Sequence, residues 1–161
     1  MNVKKLHILL ADDDKDDCNF FKEALTELSI AAKLTTVHDG EELMHYLSEN
    51  IEHLPIVLFL DINMPRKNGL ECLREIRRNE KLKDLPVVMF STSNSWNTTN
   101  QLFKSGAHVY IHKPNDFACL KQVIHHAIPL AVEKVFSNTP IKYILNAANS
   151  VCLQTNPNFY S

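Results

Sequence analysis

Five short apolar runs alternate with segments of helical periodicity, and this alternation constrains the fold more than any other feature. The runs cover residues 6–11, 33–37, 55–60, 86–90 and 108–112. Runs of this length read as strands, and those without polar alternation as strands buried on both faces. Between them, apolar residues recur at spacings of three and four. Cys18, Phe21, Leu25 and Leu28 form one such stripe, Leu43, Met44 and Leu47 a second, and Leu70, Leu73 and Ile76 a third. A more polar helix with weak periodicity leads to Gly106. Phe117, Leu120, Ile124, Ala127 and Ile128 mark the last helix, which Pro129 is expected to kink or end. Strand-then-helix repeats of this kind build an α/β domain. The expected architecture is a doubly wound, five-stranded parallel sheet in the flavodoxin-like order 2-1-3-4-5, with helices on both faces.

The chain has 161 residues, enough for one domain with a core. We expect that domain to occupy residues 1–130. Residues 131–161 read as a C-terminal extension with no separate output domain. In it, Thr139 and Pro140 can begin a helix with Ile141, Ile144 and Leu145 on one side, before a tail from Asn149. A net charge of −2 gives no electrostatic case for nucleic acid or an anionic membrane. No apolar run approaches a membrane span, and the N-terminus lacks a signal-peptide pattern, so a cytoplasmic protein is expected. Cys18, Cys72, Cys119 and Cys152 are scattered and read as reduced thiols.

All parallel strands end on the same side of a sheet, at the crevice where open α/β sheets bind ligands. The strand ends here carry Asp12 and Asp13, then Asp61, then Ser91 and Thr92, and finally Lys113. Any one of these alone serves as well for a helix cap or a turn. Together, three carboxylates repel one another and need a cation to stay ionised. An all-oxygen acidic pocket suits Mg²⁺, which binds through one or two carboxylates and keeps several waters. A carboxylate that can attack phosphorus, a hydroxyl and an ammonium complete a pocket suited to a phosphoryl group.

In this order and spacing, Leu-Leu-Ala-Asp12-Asp13-Asp14, Leu-Asp61-Ile-Asn-Met64-Pro65 with Gly69 downstream, Phe90-Ser91 and Tyr110-Ile-His-Lys113-Pro114 make residues 5–128 resemble the receiver domain of two-component response regulators. The long connection from Arg77 to Leu85 and the Ser-Thr-Ser after the fourth strand are similar to the single-domain, phytochrome-associated branch. The resemblance implies that Asp61 is the phospho-acceptor. It implies that Asp12, Asp13, Asp61 and the Asn63 backbone carbonyl hold Mg²⁺. Ser91 would be the switch hydroxyl, Lys113 the phosphate-contacting lysine, and Tyr110 the aromatic switch that rotates inward when Ser91 shifts. The Lys113–Pro114 bond is expected to be cis. Thr92 stands where many receivers carry Ala, and its bulk is expected to restrict Tyr110. Pro65 and Gly69 take structural positions beside the acceptor.

The implied function is that of a signalling phospho-acceptor rather than an enzyme. A sensor histidine kinase or a histidine phosphotransfer protein would be the donor. The output would be a downstream protein bound in trans, or a homodimer, with no nucleic acid and no membrane as partner. One alternative is a non-phosphorylated, receiver-like interaction module. A remoter one is an Mg²⁺-dependent phosphatase of the haloacid-dehalogenase type. That chemistry wants a second Asp two residues after the nucleophile, and Asn63 stands there.

Overall fold

The computed structural model describes residues 4–92, 96–107, 109–134 and 143–145. The strands are β1 (Leu6–Ala11), β2 (Ala32–Val37), β3 (Val57–Leu60), β4 (Val87–Ser91), β5 (Val109–His112) and β6 (Tyr143–Leu145). The helices are α1 (Lys15–Glu27), α2 (Gly40–Glu49), α3 (Gly69–Arg78), α4 (Trp96–Lys104) and α5 (Phe117–Lys134). All neighbouring strands are parallel, in the order β2-β1-β3-β4-β5-β6. The first five follow the expected 2-1-3-4-5 order.

The apolar runs explain the layering. All four residues of β3 are fully buried, because helices cover both faces of the sheet. Leu9, Leu58, Leu60 and Met89 face one core with Leu43 and Leu47 of α2 and Leu73 and Ile76 of α3. Ile8, Leu10, Phe59 and Phe90 face the other, with Phe21 and Leu25 of α1 and Ile124 and Ala127 of α5. Each fully buried side chain of this size contributes about 1.5–3 kcal/mol, so the central strands are held firmly beneath the crevice.

Three expectations are corrected. Residues 131–134 of the extension continue α5, but the stretch whose apolar spacing suggested a further helix is a strand where it is described. Tyr143–Leu145 forms β6 and pairs with β5 in the register Val109–Tyr143, Tyr110–Ile144 and Ile111–Leu145. Without a partner strand β5 would leave a row of unpaired backbone groups at the sheet edge, and β6 satisfies part of that row. The proposed helix start at Thr139 and Pro140, Ile141, and the tail from Asn149 lie outside the described residues. Second, α5 runs through Pro129 to Lys134, so a boundary at residue 130 falls inside a helix. Pro129 is exposed while Ala127, Ile128 and Ala131 are buried beside it. Water can satisfy the carbonyl left without a donor, and packing outweighs the missing bond. Third, no peptide bond among the described residues is cis, so Lys113–Pro114 is trans. The lysine reaches the crevice in that form, because the Lys113 amide donates to the Ser91 carbonyl at 2.8 Å and carries the β4–β5 pairing to the crevice edge.

Candidate functional site

The crevice is built where β1, β3 and β5 stop. The Asp12 amide donates to the Val37 carbonyl at 3.0 Å, and the Asp61 amide to the Ala11 carbonyl at 2.9 Å, so both backbones are fixed by the sheet. The chain then turns at once into α1, whose N-cap is Asp14; its carboxylate accepts from the Asp16 and Asp17 amides. On the other side, a capping box of Asn68 and Glu71 starts α3. Gly69 is required there. A Cβ at that position would run into the Asp61 carbonyl and come within 2.8 Å of the Ile62 Cα, so the helix could not approach the end of β3.

Four of the expected residues meet in this space. Asp12, Asp61 and Ser91 are buried, and the Lys113 side chain is only 10% exposed. The Lys113 ammonium lies 2.7 Å from Asp12 Oδ2 and 3.4 Å from Asp61 Oδ2. It also lies 3.0 Å from Asp17 Oδ2, a contact that the sequence reading missed. The other Asp12 oxygen, Oδ1, accepts from the Asp14 amide at 3.0 Å. Asp13 is exposed at the rim, yet oxygens of Asp12, Asp13 and Asp61 lie within 4.8 Å of one another. That donor set, hard and anionic, fits a divalent cation.

Electrostatics make the same point. Burial pushes the Asp61 carboxyl up. The Lys113 charge pulls it back, Asp12 pushes it up again, and hydrogen bonds from Lys113 and the Asn63 amide oppose the rise. The result is about 6 rather than 3.8. For Lys113, burial disfavours the charge. The hydrogen bond to Asp12 and the charges of Asp61 and Asp12 outweigh it, and the ammonium is held above its ordinary value. One lysine therefore leaves Asp61 under-compensated, and room remains for more positive charge.

Ser91 connects the crevice to the predicted residues behind it. Ser91 and Tyr110 are hydrogen-bonded to each other, and the Tyr110 phenol also bonds to Thr99 of α4. Tyr110 is buried, so its ring already occupies the inward position. Thr99 was not singled out, because weak apolar periodicity in α4 hides a buried hydroxyl. The expectation for Thr92 needs correction: it is exposed, and the polar neighbour of Tyr110 on α4 is Thr99. The chain alternates at the end of β4, with Ser91 inward and Thr92 outward, and the Thr92 carbonyl accepts from His112 Nε2 at 3.1 Å. Pro65 is exposed and precedes Arg66, whose φ of +68° turns the loop after the acceptor. Cys18 is a buried thiol bonded to the Asp12 carbonyl, and burial pushes it up to about 11, which suits a reduced structural cysteine.

No helix among the described residues is long and apolar enough to cross a membrane. Comparison with known proteins agrees with the geometry. Residues 8–125 match the sequence profile of the response regulator receiver domain. Response regulator Rcp1 of Synechocystis sp. is 31% identical over 121 residues, covering 73% of this chain and 82% of that protein. Among solved structures, the phosphorylated cyanobacterial phytochrome response regulator RcpA superposes with a TM-score of 0.70 at 32% identity, covering 76% of this chain and 91% of that one. The Mn²⁺-bound form of Rcp1 gives 0.66 at 30% identity, over 73% and 90% of the two chains. A buried acidic crevice at the carboxyl end of a 2-1-3-4-5 sheet, with its lysine just after the fifth strand, thus meets a family profile over most of the chain, and the protein belongs to the response regulator receiver family.

Proposed function

We propose that Asp61 is the residue on which this receiver accepts its phosphoryl group from a phospho-histidine. The observation that carries this reading is the under-compensated Asp61 carboxyl, buried against Asp12 and sharing a single ammonium. An Asp61 oxygen attacks phosphorus in line, and the P–N bond to the donor imidazole breaks. The electron pair stays on the imidazole nitrogen, and the phosphoryl group becomes an acyl phosphate on Asp61. Lys113 stabilises the phosphoryl oxygens, and Ser91 donates to one of them. Asp12, Asp13 and Asp61, with the Asn63 carbonyl, would hold Mg²⁺, which neutralises carboxylate and phosphoryl charge when bound. A divalent ion is supported by the donor set here and by the Mn²⁺-bound form of Rcp1.

The donor is a sensor histidine kinase or a histidine phosphotransfer protein. Among the described residues, Phe20 on α1, 50% exposed, is the large apolar side chain most open to such a partner. It borders a cleft of about 130 Å³ with Asp17, Phe90, Lys113, Pro114 and Phe117, at the mouth of the crevice. RcpA's link to a phytochrome supports placing this chain in the phytochrome-associated branch. Phosphorylation shifts the population of a conformation that includes Ser91 and Tyr110, and so changes binding of a downstream protein or a second copy.

Intact mass after incubation with acetyl phosphate and Mg²⁺ tests the assignment. The parent is expected to gain one phosphoryl group, and the Asp61→Asn variant none. Equal gain in both would place the acceptor elsewhere. No gain in either folded protein would favour the non-phosphorylated interaction module.

A further inference from the structure

Lys113 is shared unequally. Its ammonium lies 2.7 Å from Asp12, 3.0 Å from Asp17 and 3.4 Å from Asp61, so the group it must serve in phosphorylation is its most distant partner. The Lys113 backbone cannot adjust, because its amide is bonded to the Ser91 carbonyl. Only the side chain can swing. Asp17 belongs to the first turn of α1, and its amide is tied to the Asp14 cap, which anchors its backbone beside the crevice. Its side chain is 38% exposed, whereas those of Asp12 and Asp61 are buried. Asp17 also stands outside the Asp12, Asp13 and Asp61 group that fits a metal ion. Of the three carboxylates on the ammonium, it is the one claimed by neither cation nor phosphoryl group.

We propose that Asp17 is a positioning residue that draws Lys113 toward α1 and away from Asp61, and so slows phosphorylation. This inference rests on the assignment of Asp61 as acceptor. When charge builds on the phosphoryl oxygens, Lys113 must leave Asp17 to reach them. The Asp17 contact stabilises the resting arrangement and is lost on the way to the transition state, so it raises the barrier. Removing it lowers the barrier by the strength of a partly exposed ion pair, equivalent to roughly a two- to fivefold faster rate.

The test is the rate of phosphorylation by acetyl phosphate with saturating Mg²⁺, followed by intact mass, for the parent, Asp17→Asn and Asp17→Glu. Each is also made in a Lys113→Met background. The expected result is a roughly two- to fivefold rise in the saturating rate for Asp17→Asn and a rate near the parent's for Asp17→Glu, which keeps the carboxylate. In the Lys113→Met background Asp17→Asn should change nothing. A rise that persists without Lys113 would be a general charge effect on an anionic donor and would overturn the proposal. So would an unchanged or slower Asp17→Asn rate in a variant that melts like the parent. Failure of the parent to gain a phosphoryl group at all would instead remove the acceptor assignment on which this inference stands.

Discussion

Asp61→Asn should make the metal-free protein more stable, although it removes the proposed phospho-acceptor. The side chain is only 5% exposed, and its carboxyl is held near 6 against 3.8 in an ordinary setting. The fold therefore favours the protonated form. Stability linked to that proton is fully present below pH 3.8 and is lost as pH rises through about 6. At about 1.36 kcal/mol per pH unit, the difference between 3.8 and about 6 amounts to about 3 kcal/mol at pH 8. Asn has the shape of the protonated acid and never ionises. The variant should thus exceed the parent by about 3 kcal/mol at pH 8, by about half of that at pH 5, and by almost nothing at pH 3.5. Urea unfolding at these three pH values in EDTA measures the gap directly. Adding Mg²⁺ at pH 8 should narrow it, because an ion that binds the folded parent stabilises it by mass action. A parent as stable as the variant at pH 8, or a gap independent of pH, would refute the argument that Asp61 is an under-compensated buried charge.

Three further substitutions probe the frame around the crevice. The Arg77 side chain is half-buried and its guanidinium donates to the carbonyls of Gly106, Lys83 and Leu85, so Arg77→Met should cost about 1–3 kcal/mol in urea unfolding by leaving these acceptors without a charged donor. Gly69→Ala should force the Asp61–Ile62 backbone away from α3, costing about 1–3 kcal/mol and slowing phosphorylation by acetyl phosphate together. Pro129→Ala restores a helical N–H at an exposed position and should raise the melting temperature, with a gain of about 1–3 kcal/mol.

Sequence spacing carried the sheet and most of the crevice because both follow from local pattern plus one topological rule. Continuous apolar runs found β1, β3 and β4, and the rule that parallel strands end together brought Asp12, Asp61, Ser91 and Lys113 into one space. What was missed depends on partners distant in sequence. Ile141, Ile144 and Leu145 fit helical spacing as well as a strand, and only the open edge of β5 makes Tyr143–Leu145 a strand. Asp17 reads as one more acid in a first helical turn, where acids are ordinary. Its contact with Lys113 spans 96 residues of chain and exists only once the sheet brings the end of β5 and the first turn of α1 to the same crevice. Pro129 reads as a stop because sequence does not show that its face is the solvent face.

The arrangement of Ser91 sets how strongly a phosphoryl group can be felt beyond the crevice. Its hydroxyl is engaged by the Tyr110 phenol, at a site with no solvent to take over the bond. Moving that hydroxyl onto a phosphoryl oxygen would exchange a neutral hydrogen bond, worth about 1 kcal/mol, for a charge-assisted one of about 1.5–3 kcal/mol. The net gain, on the order of 1 kcal/mol, shifts a two-state population by only about fivefold. Tyr110 would not be released in the exchange, because Thr99 still holds its hydroxyl. The ring is thus kept inward by α4 rather than by the state of Asp61. Any larger response must come from the acyl phosphate's charge acting on Lys113, the one group that contacts Asp61, Asp12 and α1 at once. With Asp61 as the proposed acceptor, the lysine, more than the tyrosine, is placed to pass a change of charge to the helix beside it.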